Sequence, residues 1–447
     1  MSRSYNLDYR AQTIQDNASG GLSLHYGYDA AGQLTELKDG LQSAFLARYD
    51  YDNLGRLTIL RDGPSAVPIE TYAYDATGNR TSLLHGGVTT SYTYPSSSHQ
   101  LSAMGGAARG YSVAGNTTGM NGKTFVYGRL NRLTQIDVGG LTQAVYQYNG
   151  FGERVRATQV FTGGTDTQTI YDESGQWLGD YDHNGAVLQQ AIWLDDLPVG
   201  LLAGAGANQK LHYIEPDHLG TPRAVIDRSR DVAIWTWALQ GEAFGNSPPN
   251  QDPDLDSTNF VFDMRFPGQR YDAATGLNYN YFRDYDAGSG RYVQSDPIGL
   301  EAGTDTFGYV GGRPVSHTDK YGLDDIYSTL DIDLTAGLGV EINFGQVLDT
   351  DSLLDSGVYF SIGESYGGNV GIGAGLGYVC RDIEGKGVGL DINAGKISPA
   401  LSFDDQGLNG ASFTVGPGAG LSASKTTTWT LSPNAIIRYI RARAGAR

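Results

Sequence analysis

Two copies of an Asp-x-x-Gly-Leu motif contain the residues of this chain whose types and spacing suggest chemistry. They read SDPIGL at 295–300 and TDKYGL at 318–323, and they place Asp296 and Asp319 23 residues apart. Two carboxylates held close together share one proton, because repulsion between two negative charges disfavours ionisation of both. One of them can then act as base and the other as acid. Hydrolysis of a peptide bond needs both functions, to activate water and to protonate the leaving nitrogen. Asp-x-x-Gly is also a common turn sequence, so the spacing alone leaves a purely structural role open.

Tight turns are expected to position the two aspartates. Each aspartate precedes a turn that is closed by Gly299 or Gly322. Such a turn presents the carboxylate at a fixed angle. The chain before the two motifs is repetitive and the chain after them is rich in glycine, so the motifs lie at a boundary between two kinds of sequence.

Residues 5–190 contain a repeated Tyr-Asp-x-x-Gly frame. We interpret each copy as a strand–turn–strand unit, in which Asp caps backbone N–H groups, Gly takes a positive φ and the aromatic residue enters the sheet. Tandem copies of such a unit stack into an extended sheet. The copies are YDAAGQL (28–34), YDNLGRL (51–57), YDATGNR (74–80), YNGFGER (148–154) and YDESGQW (171–177), with a degenerate copy, YGRLNRL, at 127–133.

Composition indicates an all-β protein. The 447 residues include 63 glycines and 29 tyrosines, residue types that favour turns and strands respectively. A net charge of −18 argues against nucleic-acid binding by the repeat region. No apolar run approaches the roughly 20 residues of a membrane helix. The first residues lack a secretory h-region, so export would need a route other than a cleaved signal.

No cofactor and no metal are predicted. The single cysteine, Cys380, excludes an internal disulfide and a cysteine-based zinc cage. His212 and His218 flank Glu215 and Asp217 at a spacing that metal ligands can have. The proline-containing turn at this position favours a structural role for all four residues.

The repeated frame resembles the YD repeat of the Rhs family, which also includes toxin-complex C subunits and animal teneurins. The similarity continues through HYIEPDHLGTPRAVID (212–227) and RFPGQRYDAATGLNYNYFRDYD (265–286) and ends at the two Asp-x-x-Gly-Leu motifs. It implies an all-β architecture: a partial, spiralling YD-repeat shell over 1–210, an Rhs core over 211–323, and a smaller antiparallel β-rich effector domain over 324–447.

The resemblance also implies a self-cleavage reaction. The bond to be cut would join Leu323 to Asp324, with Asp296 and Asp319 as the acid–base pair. The supporting residues of the motif would be Pro297, Gly299, Pro314 and Gly322. The chain departs from the family pattern in having Lys320 where a proline is usual and Ser295 directly before Asp296. Some family members are thought to use a nearby arginine, and the candidates here are Arg291 and Arg313.

The same resemblance implies a biological setting. The protein would be a bacterial polymorphic toxin of interbacterial competition, made in the cytoplasm and then secreted or placed at the cell surface without a classical signal peptide. Its implied partners are a cognate immunity protein, a component of a secretion apparatus and the membrane of the target cell. The competing interpretation is a structural or cell-surface YD-repeat protein that does not cleave itself.

Residues 324–447 are predicted to form antiparallel strands. Every even-numbered residue from 330 to 344 is apolar, and apolar residues alternate with glycines from 370 to 378. This period of two is typical of strands with one apolar face. The sequences DDQG (404–407) and RDIEGKG (381–387) are predicted hairpin turns between such strands. The segment contains no histidine, which excludes histidine-dependent nucleases and triads from it. Three effector classes stay open: a pore-forming or membrane-disrupting barrel, an unidentified enzyme, and a binding or structural barrel. Residues 434–447 are predicted to form either a short amphipathic helix at anionic lipid or a docked terminal helix.

Overall fold

A computed structural model describes residues 1–161, 163–238, 241–299 and 304–323, and the backbone of six strands between residues 326 and 431. The chain forms two compact units. The first comprises Met1–Pro297 and Thr304–Gly322, and the second contains Ile298, Gly299, Leu323 and the six later strands. Within the described residues, no helix has both the length and the apolar character needed to cross a membrane.

The first unit begins with an 11-stranded antiparallel sheet in which the strands pair in chain order. The strands are β1 (Ser2–Tyr5), β2 (Ala11–Gln15), β3 (Ser23–Tyr28), β4 (Leu34–Asp39), β5 (Phe45–Tyr51), β6 (Leu57–Asp62), β7 (Pro68–Tyr74), β8 (Arg80–His85), β9 (Val88–Thr93), β10 (Ala103–Met104) and β11 (Ala107–Ala108).

A 13-stranded sheet follows, again with its strands in chain order. The strands are β12 (Gly110–Tyr111), β13 (Thr117–Met120), β14 (Lys123–Tyr127), β15 (Leu133–Val138), β16 (Leu141–Tyr148), β17 (Arg154–Gln159), β18 (Asp166–Tyr171), β19 (Trp177–Asp182), β20 (Val187–Leu194), β21 (Leu197–Ala203), β22 (Lys210–Pro216), β23 (Pro222–Asp227) and β24 (Val232–Thr236). Ser19 and Val232 form an isolated parallel bridge between the first sheet's β2–β3 connection and β24.

A four-stranded sheet completes the first unit: β25 (Arg270–Asp272), β26 (Leu277–Asn280), β27 (Arg283–Asp286) and β28 (Arg291–Tyr292). Short 3-10 helices lie at Gly206–Asn208 and Val310–Gly312. All four residues of β26 and all four of β27 are buried, including charged ones, so this sheet carries polar groups into the interior.

The YD turns form as the sequence predicts. Asp29 Oδ1 accepts hydrogen bonds from the backbone N–H groups of Ala31 and Gln33, both at 2.9 Å, and Gly32 has φ of 78°. The tyrosine before the turn adds a contact that the sequence did not reveal, because the Tyr28 hydroxyl donates to the Ala11 carbonyl at 2.8 Å. The hydroxyls of Tyr51, Tyr74, Tyr148 and Tyr171 likewise donate to backbone carbonyls 15 or 17 residues earlier.

Apolar side chains from the two large sheets and from the four-stranded sheet form the principal core of the first unit. Leu34, Leu57 and Trp235 are fully buried in it. Alternate residues of the repeat strands supply these side chains, as expected for a pleated sheet with one covered face.

Asp217 and His218, two of the four candidate metal ligands at 212–218, have structural partners. The Asp217 carboxylate pairs with Arg223 Nε at 2.8 Å, and a ring nitrogen of His218 lies 2.9 Å from the Val315 carbonyl. Burial lowers the pKa of His218 and of His212. These contacts hold strand ends and turns together.

The second unit contains a six-stranded antiparallel sheet in the order β29-β30-β33-β32-β31-β34, with a further pairing of β30 with β34. The strands are β29 (Ile326–Leu348), β30 (Gly357–Val379), β31 (Gly385–Ala394), β32 (Ser398–Asp404), β33 (Gly407–Val415) and β34 (Ala419–Leu431). These strands confirm the predicted all-β class.

Of the two hairpin turns predicted in the second unit, one is present and one is not. The hairpin predicted at 404–407 is present, since Asp404 pairs with Gly407 across it. The hairpin predicted at 381–387 is wrong, because β30 and β31 are not neighbours in the sheet and the strand already begins at Gly385. The predicted helix at 434–447 lies outside the described residues.

Candidate active site

Arg283, the first residue of β27, lies at the centre of a buried polar cluster. Its Nη2 atom is 2.9 Å from Asp296 Oδ2 and 3.1 Å from Asp319 Oδ2. Its Nε atom donates to the Gly322 carbonyl at 2.5 Å. Arg283, Asp296 and Asp319 are 2%, 4% and 3% exposed, respectively. The fold therefore brings the two predicted aspartates to one guanidinium, which also holds the backbone one residue before Leu323.

Asp319 receives a second hydrogen bond from Tyr292, the last residue of β28. The Tyr292 hydroxyl donates to Asp319 Oδ2 at 2.7 Å. Burial and the adjacent Asp319 carboxylate raise the pKa of Tyr292 well above its usual range, so the hydroxyl keeps its proton and acts as a donor. Donation from Tyr292 and Arg283 stabilises the ionised form of Asp319.

Asn280, at the end of β26, holds Tyr292 and Asp319 in position. Its Nδ2 atom donates to the Tyr292 hydroxyl at 2.7 Å and to the Asp319 carbonyl at 2.8 Å. One amide group thereby sets both the orientation of the tyrosine and the backbone of the second motif. Because β26, β27 and β28 are paired strands, the three donors keep a fixed spacing.

Thr306 holds the first motif in place. The Asp296 N–H donates to the Thr306 carbonyl at 2.8 Å, and Arg283 Nη1 donates to the same carbonyl at 3.3 Å. Ser295, which departs from the family pattern, donates its hydroxyl to Thr306 Oγ1 at 2.9 Å. Its role in this site is therefore to fix the backbone beside Asp296.

The two motif glycines share a conformation but differ in their surroundings. Gly299 and Gly322 have φ of 69° and 71°, the left-handed region that favours glycine. A Cβ atom at Gly322 would lie 2.7 Å from the Asn280 carbonyl oxygen, whereas one at Gly299 would meet no atom of the described residues within 4 Å. Close approach of two backbones therefore requires glycine at position 322.

The remaining predicted site residues have varied positions. Pro297 is exposed and Pro314 is buried. Leu323 is 5% exposed, and Asp324 lies outside the described residues.

Sequence reasoning chose the wrong arginines. Arg291 pairs with Asp305 at 2.9 Å, and Arg313 donates to the Leu54 carbonyl at 3.0 Å. The arginine between the aspartates is Arg283, in the aromatic-rich segment NYNYFRDYD. A single arginine within such a run indicates a buried guanidinium, and a buried guanidinium requires carboxylate partners. Lys320, the other departure from the pattern, pairs with Asp196 at 2.5 Å, and the side chain of Asp196 is 72% exposed.

The chemistry available to this cluster is acid–base chemistry. Two carboxylates near one nitrogen can divide the roles of base and acid. The guanidinium supplies the positive charge that two buried carboxylates need, and its third contact fixes the peptide beside them.

Comparisons with known proteins agree with the fold. The sequence profile of the teneurin YD-shell matches residues 2–306. The fold is similar to that in a crystal structure described as TcdB2-TccC3-TEV, with a TM-score of 0.53 and 19% sequence identity. The matched region covers 72% of this chain and 18% of the chain in that structure. At that identity the structural similarity concerns the fold alone.

Similar sequences include proteins that are mostly much longer. The chain is 36% identical over 135 residues to the uncharacterized protein YibJ of Escherichia coli (strain K12). That aligned region covers 30% of this chain and 54% of YibJ. It is 29% identical over 228 residues to the double-stranded DNA deaminase toxin A of Burkholderia cenocepacia (strain H111). That aligned region covers 46% of this chain and 16% of the toxin. The chain therefore spans from about a sixth to about half of the length of these relatives.

Proposed function

Because the chain belongs to the teneurin YD-shell family, which groups it with the Rhs/YD-repeat proteins, we propose that it is a toxin carrier whose core cleaves itself after Leu323. Residues 1–210 serve as the repeat sheet, residues 211–323 as the core that performs the cleavage, and residues 324–447 as the released effector. The observation that carries this proposal is the triple contact of Arg283 with Asp296, Asp319 and the Gly322 carbonyl.

The reaction we propose is a single hydrolysis. Asp319 is the base, because its carboxylate accepts a hydrogen bond from Tyr292 in addition to its contact with the guanidinium that it shares with Asp296. It takes a proton from a water molecule whose oxygen attacks the Leu323 carbonyl carbon. Asp296 is the acid and gives its proton to the Asp324 nitrogen as the C–N bond breaks. The products are a carboxyl group on Leu323 and an amino group on Asp324.

Arg283 and Tyr292 are positioning residues in this scheme. The bond from Arg283 Nε to the Gly322 carbonyl fixes the peptide group directly before the bond to be cut. A substrate tethered in this way needs no separate binding step, so correct placement supplies much of the rate enhancement. The reaction happens once per chain.

The proposal is tested by following the intact chain during expression. Wild-type protein should give a fragment of about 14 kDa, at ~110 Da for each of the 124 residues after Leu323. Asp296→Asn and Asp319→Asn should each leave a single full-length band on a denaturing gel. Asp196→Asn, which changes an exposed aspartate paired with Lys320, is the matched control and should cleave as wild type does.

An uncleaved wild-type chain would instead favour the structural or cell-surface YD-repeat protein. Equal cleavage of all three variants would place the reaction elsewhere or assign it to a contaminating protease. Either result would contradict the roles given to the two aspartates.

The effector is proposed to act on the membrane of a target cell. Its support is the alternation of apolar residues with glycine and small polar residues in a segment that lacks histidine. Strands β29 and β30 have 23 residues each, more than the 9–11 that cross a bilayer, so only part of each would lie in lipid. Leakage of dye from anionic liposomes on adding the released segment tests this activity. Toxicity in the cytosol without leakage would reject it and favour an enzyme.

The setting follows from the same proposal. The protein is made in the bacterial cytoplasm and exported by a secretion apparatus, and a cognate immunity protein protects the producing cell. Co-expression of a candidate immunity protein should restore growth to cells that produce the effector alone. Continued growth arrest with every neighbouring open reading frame would count against this partner.

A further inference from the structure

A second group of potential ligands lies in the first unit, away from the aspartate pair. It consists of Glu70 on β7, His85 at the end of β8 and Glu242 in the segment after β24, and we call it the Glu–His–Glu cluster. Glu70 and His85 are direct partners across the antiparallel β7–β8 ladder, so their side chains leave the same face of the sheet. His85 Nδ1 lies 3.6 Å from Glu70 Oε1, and His85 Nε2 lies 3.7 Å from Glu242 Oε1.

The Glu70 carboxylate is held in a fixed orientation. Its Oε2 atom accepts hydrogen bonds from the Tyr72 hydroxyl and, at 2.9 Å, from the Ala243 N–H. The other oxygen, Oε1, is the one nearest His85. Donors that fix one oxygen of a carboxylate and so direct the other are typical outer-shell partners of metal ligands. The segment that carries Glu242 supplies one of these donors.

The cluster has an excess of negative charge. Glu70 is only 2% exposed, and Glu242 brings a second carboxylate to the same histidine. Among the described residues, Glu70 forms no ion pair with a lysine or an arginine, and the Arg80 guanidinium acts on it only at longer range. Buried carboxylates are normally paired with cations or coordinate metals. A dication beside Glu70 and Glu242 would supply the missing charge.

We propose that the Glu–His–Glu cluster binds a zinc ion. One imidazole nitrogen and two carboxylate oxygens form a donor set that zinc accepts in a four-coordinate site, with water in the fourth position. Zinc bonds of about 2.0–2.2 Å in a tetrahedron place the donor atoms roughly 3.3–3.6 Å apart. One donor atom from each of the three residues lies within 4.8 Å of the others, so the donors must move closer together when the ion binds. Calcium and magnesium prefer sites made only of oxygen, so the histidine disfavours them.

Solvent can reach the cluster, and the His85 ring is free to rotate within it. The His85 side chain is 43% exposed, so solvent reaches the cluster and the ring can turn to direct one nitrogen at the ion. Glu70 is fixed, and the two partly exposed ligands close on it.

Zinc here would join two distant parts of the first unit. Glu70 and His85 belong to the first sheet, whereas Glu242 precedes Phe244, which packs edge-on against the Tyr72 ring at 5.1 Å between centroids. The ion would therefore fasten the β7–β8 hairpin to the segment that follows β24. This function is separate from cleavage after Leu323, because none of the three ligands contacts Asp296 or Asp319 in the described residues.

Zinc titration of the full-length chain tests the proposal. The Asp319→Asn variant is used after dialysis against a chelator, so that the chain stays full-length if wild type cleaves, and wild type is titrated in parallel. Calorimetry should show a zinc site that magnesium does not occupy, and zinc should raise the Tm. His85→Ala and, separately, Glu242→Gln should weaken this site at least tenfold, since even outer-shell changes cost about 10–100-fold.

His183→Ala is the matched control, because His183 is an exposed turn histidine outside the cluster. It should leave zinc affinity unchanged. Cobalt should give visible d–d absorption that is lost in the His85→Ala protein and kept in the His183→Ala protein. Absence of a zinc site, or a site equally strong in the two cluster variants, would overturn the proposal. Glu242 is partly exposed, so its variant gives an answer even if His85→Ala folds poorly.

Discussion

Arg283 and Tyr292 explain why two aspartates can lie close together inside this protein. Each carboxylate would be costly to bury alone, and the shared guanidinium offsets part of that cost. The aspartates themselves could be predicted, because their motifs repeat in the sequence. Arg283 could not be chosen from spacing, because it lies 13 residues from one aspartate and 36 from the other and meets them only in the folded chain.

Replacement of Tyr292 by Phe should slow cleavage without unfolding the core. The change removes the hydrogen bond to Asp319 Oδ2, and a bond to a charged group contributes about 1.5–3 kcal/mol. If that bond stabilises the base in the reacting state, the rate should fall about 10-fold to 100-fold. Pulse-chase labelling followed by a denaturing gel measures the half-time.

Tyr285→Phe is the control for the loss of a buried hydroxyl. Tyr285 is fully buried on the same strand as Arg283, and its hydroxyl donates to the Phe244 carbonyl at 2.8 Å. It should leave the half-time near that of wild type. Equal slowing in both variants would show that Tyr292 acts only through general stability.

The turns of this protein were more predictable than its long-range contacts. The caps from Asp29 and its counterparts depend on residues at most four positions away, so a local pattern is enough to predict them. The 23-residue lengths of β29 and β30 depend on pairing between distant segments, and alternation in the sequence did not set their ends. The failed hairpin at 381–387 has the same cause, because β34 rather than β30 pairs with β31.

The two motif glycines offer a paired test of the turns. Gly322→Ala forces a left-handed residue with a Cβ only 2.7 Å from the Asn280 carbonyl, so the Asn280 backbone must move. Gly299→Ala imposes the same conformation in open space, at about 1–2 kcal/mol. Urea unfolding should show the larger loss of free energy for Gly322→Ala, and its cleavage should fall most. Similar losses in both variants would contradict the crowding at Gly322.

Contacts between residues far apart in sequence hold the first unit together. Glu215 on β22 accepts a hydrogen bond from the Leu22 N–H at 2.6 Å, a contact that spans 193 residues. Ser19 and Val232 bridge the same region of the two large sheets. The repeat pattern predicted the sheets, but nothing in it indicates which residues meet across them.

The Glu215 contact makes stability depend on pH. Burial raises the pKa of Glu215 to about 8, and the Asp16 carboxylate adds to the effect. The folded state therefore binds one more proton than the unfolded state between about pH 4.5 and 8, so stability should fall as pH rises through this window. The loss is at most about 4–5 kcal/mol for a shift of this size. The pKa of Asp16 is lowered to about 2, so protonation of Asp16 changes the stability only below about pH 4.

Urea unfolding at pH 5 and pH 8 measures this dependence. Glu215→Gln should remove most of the fall, since the amide does not ionise. Histidines with a lowered pKa, such as His212, give the opposite slope and are common to both proteins, so the difference between proteins isolates Glu215. Identical pH dependence in wild type and variant would refute the assignment.

The mass of the purified wild-type protein tests the self-cleavage proposal most directly. Intact-mass spectrometry should find two products of one cut, the smaller beginning at Asp324, while the Asp319→Asn protein keeps the full 47.9 kDa. A wild-type chain that stays at full mass, or a fragment that begins at another residue, would contradict cleavage by the Asp296–Asp319 pair.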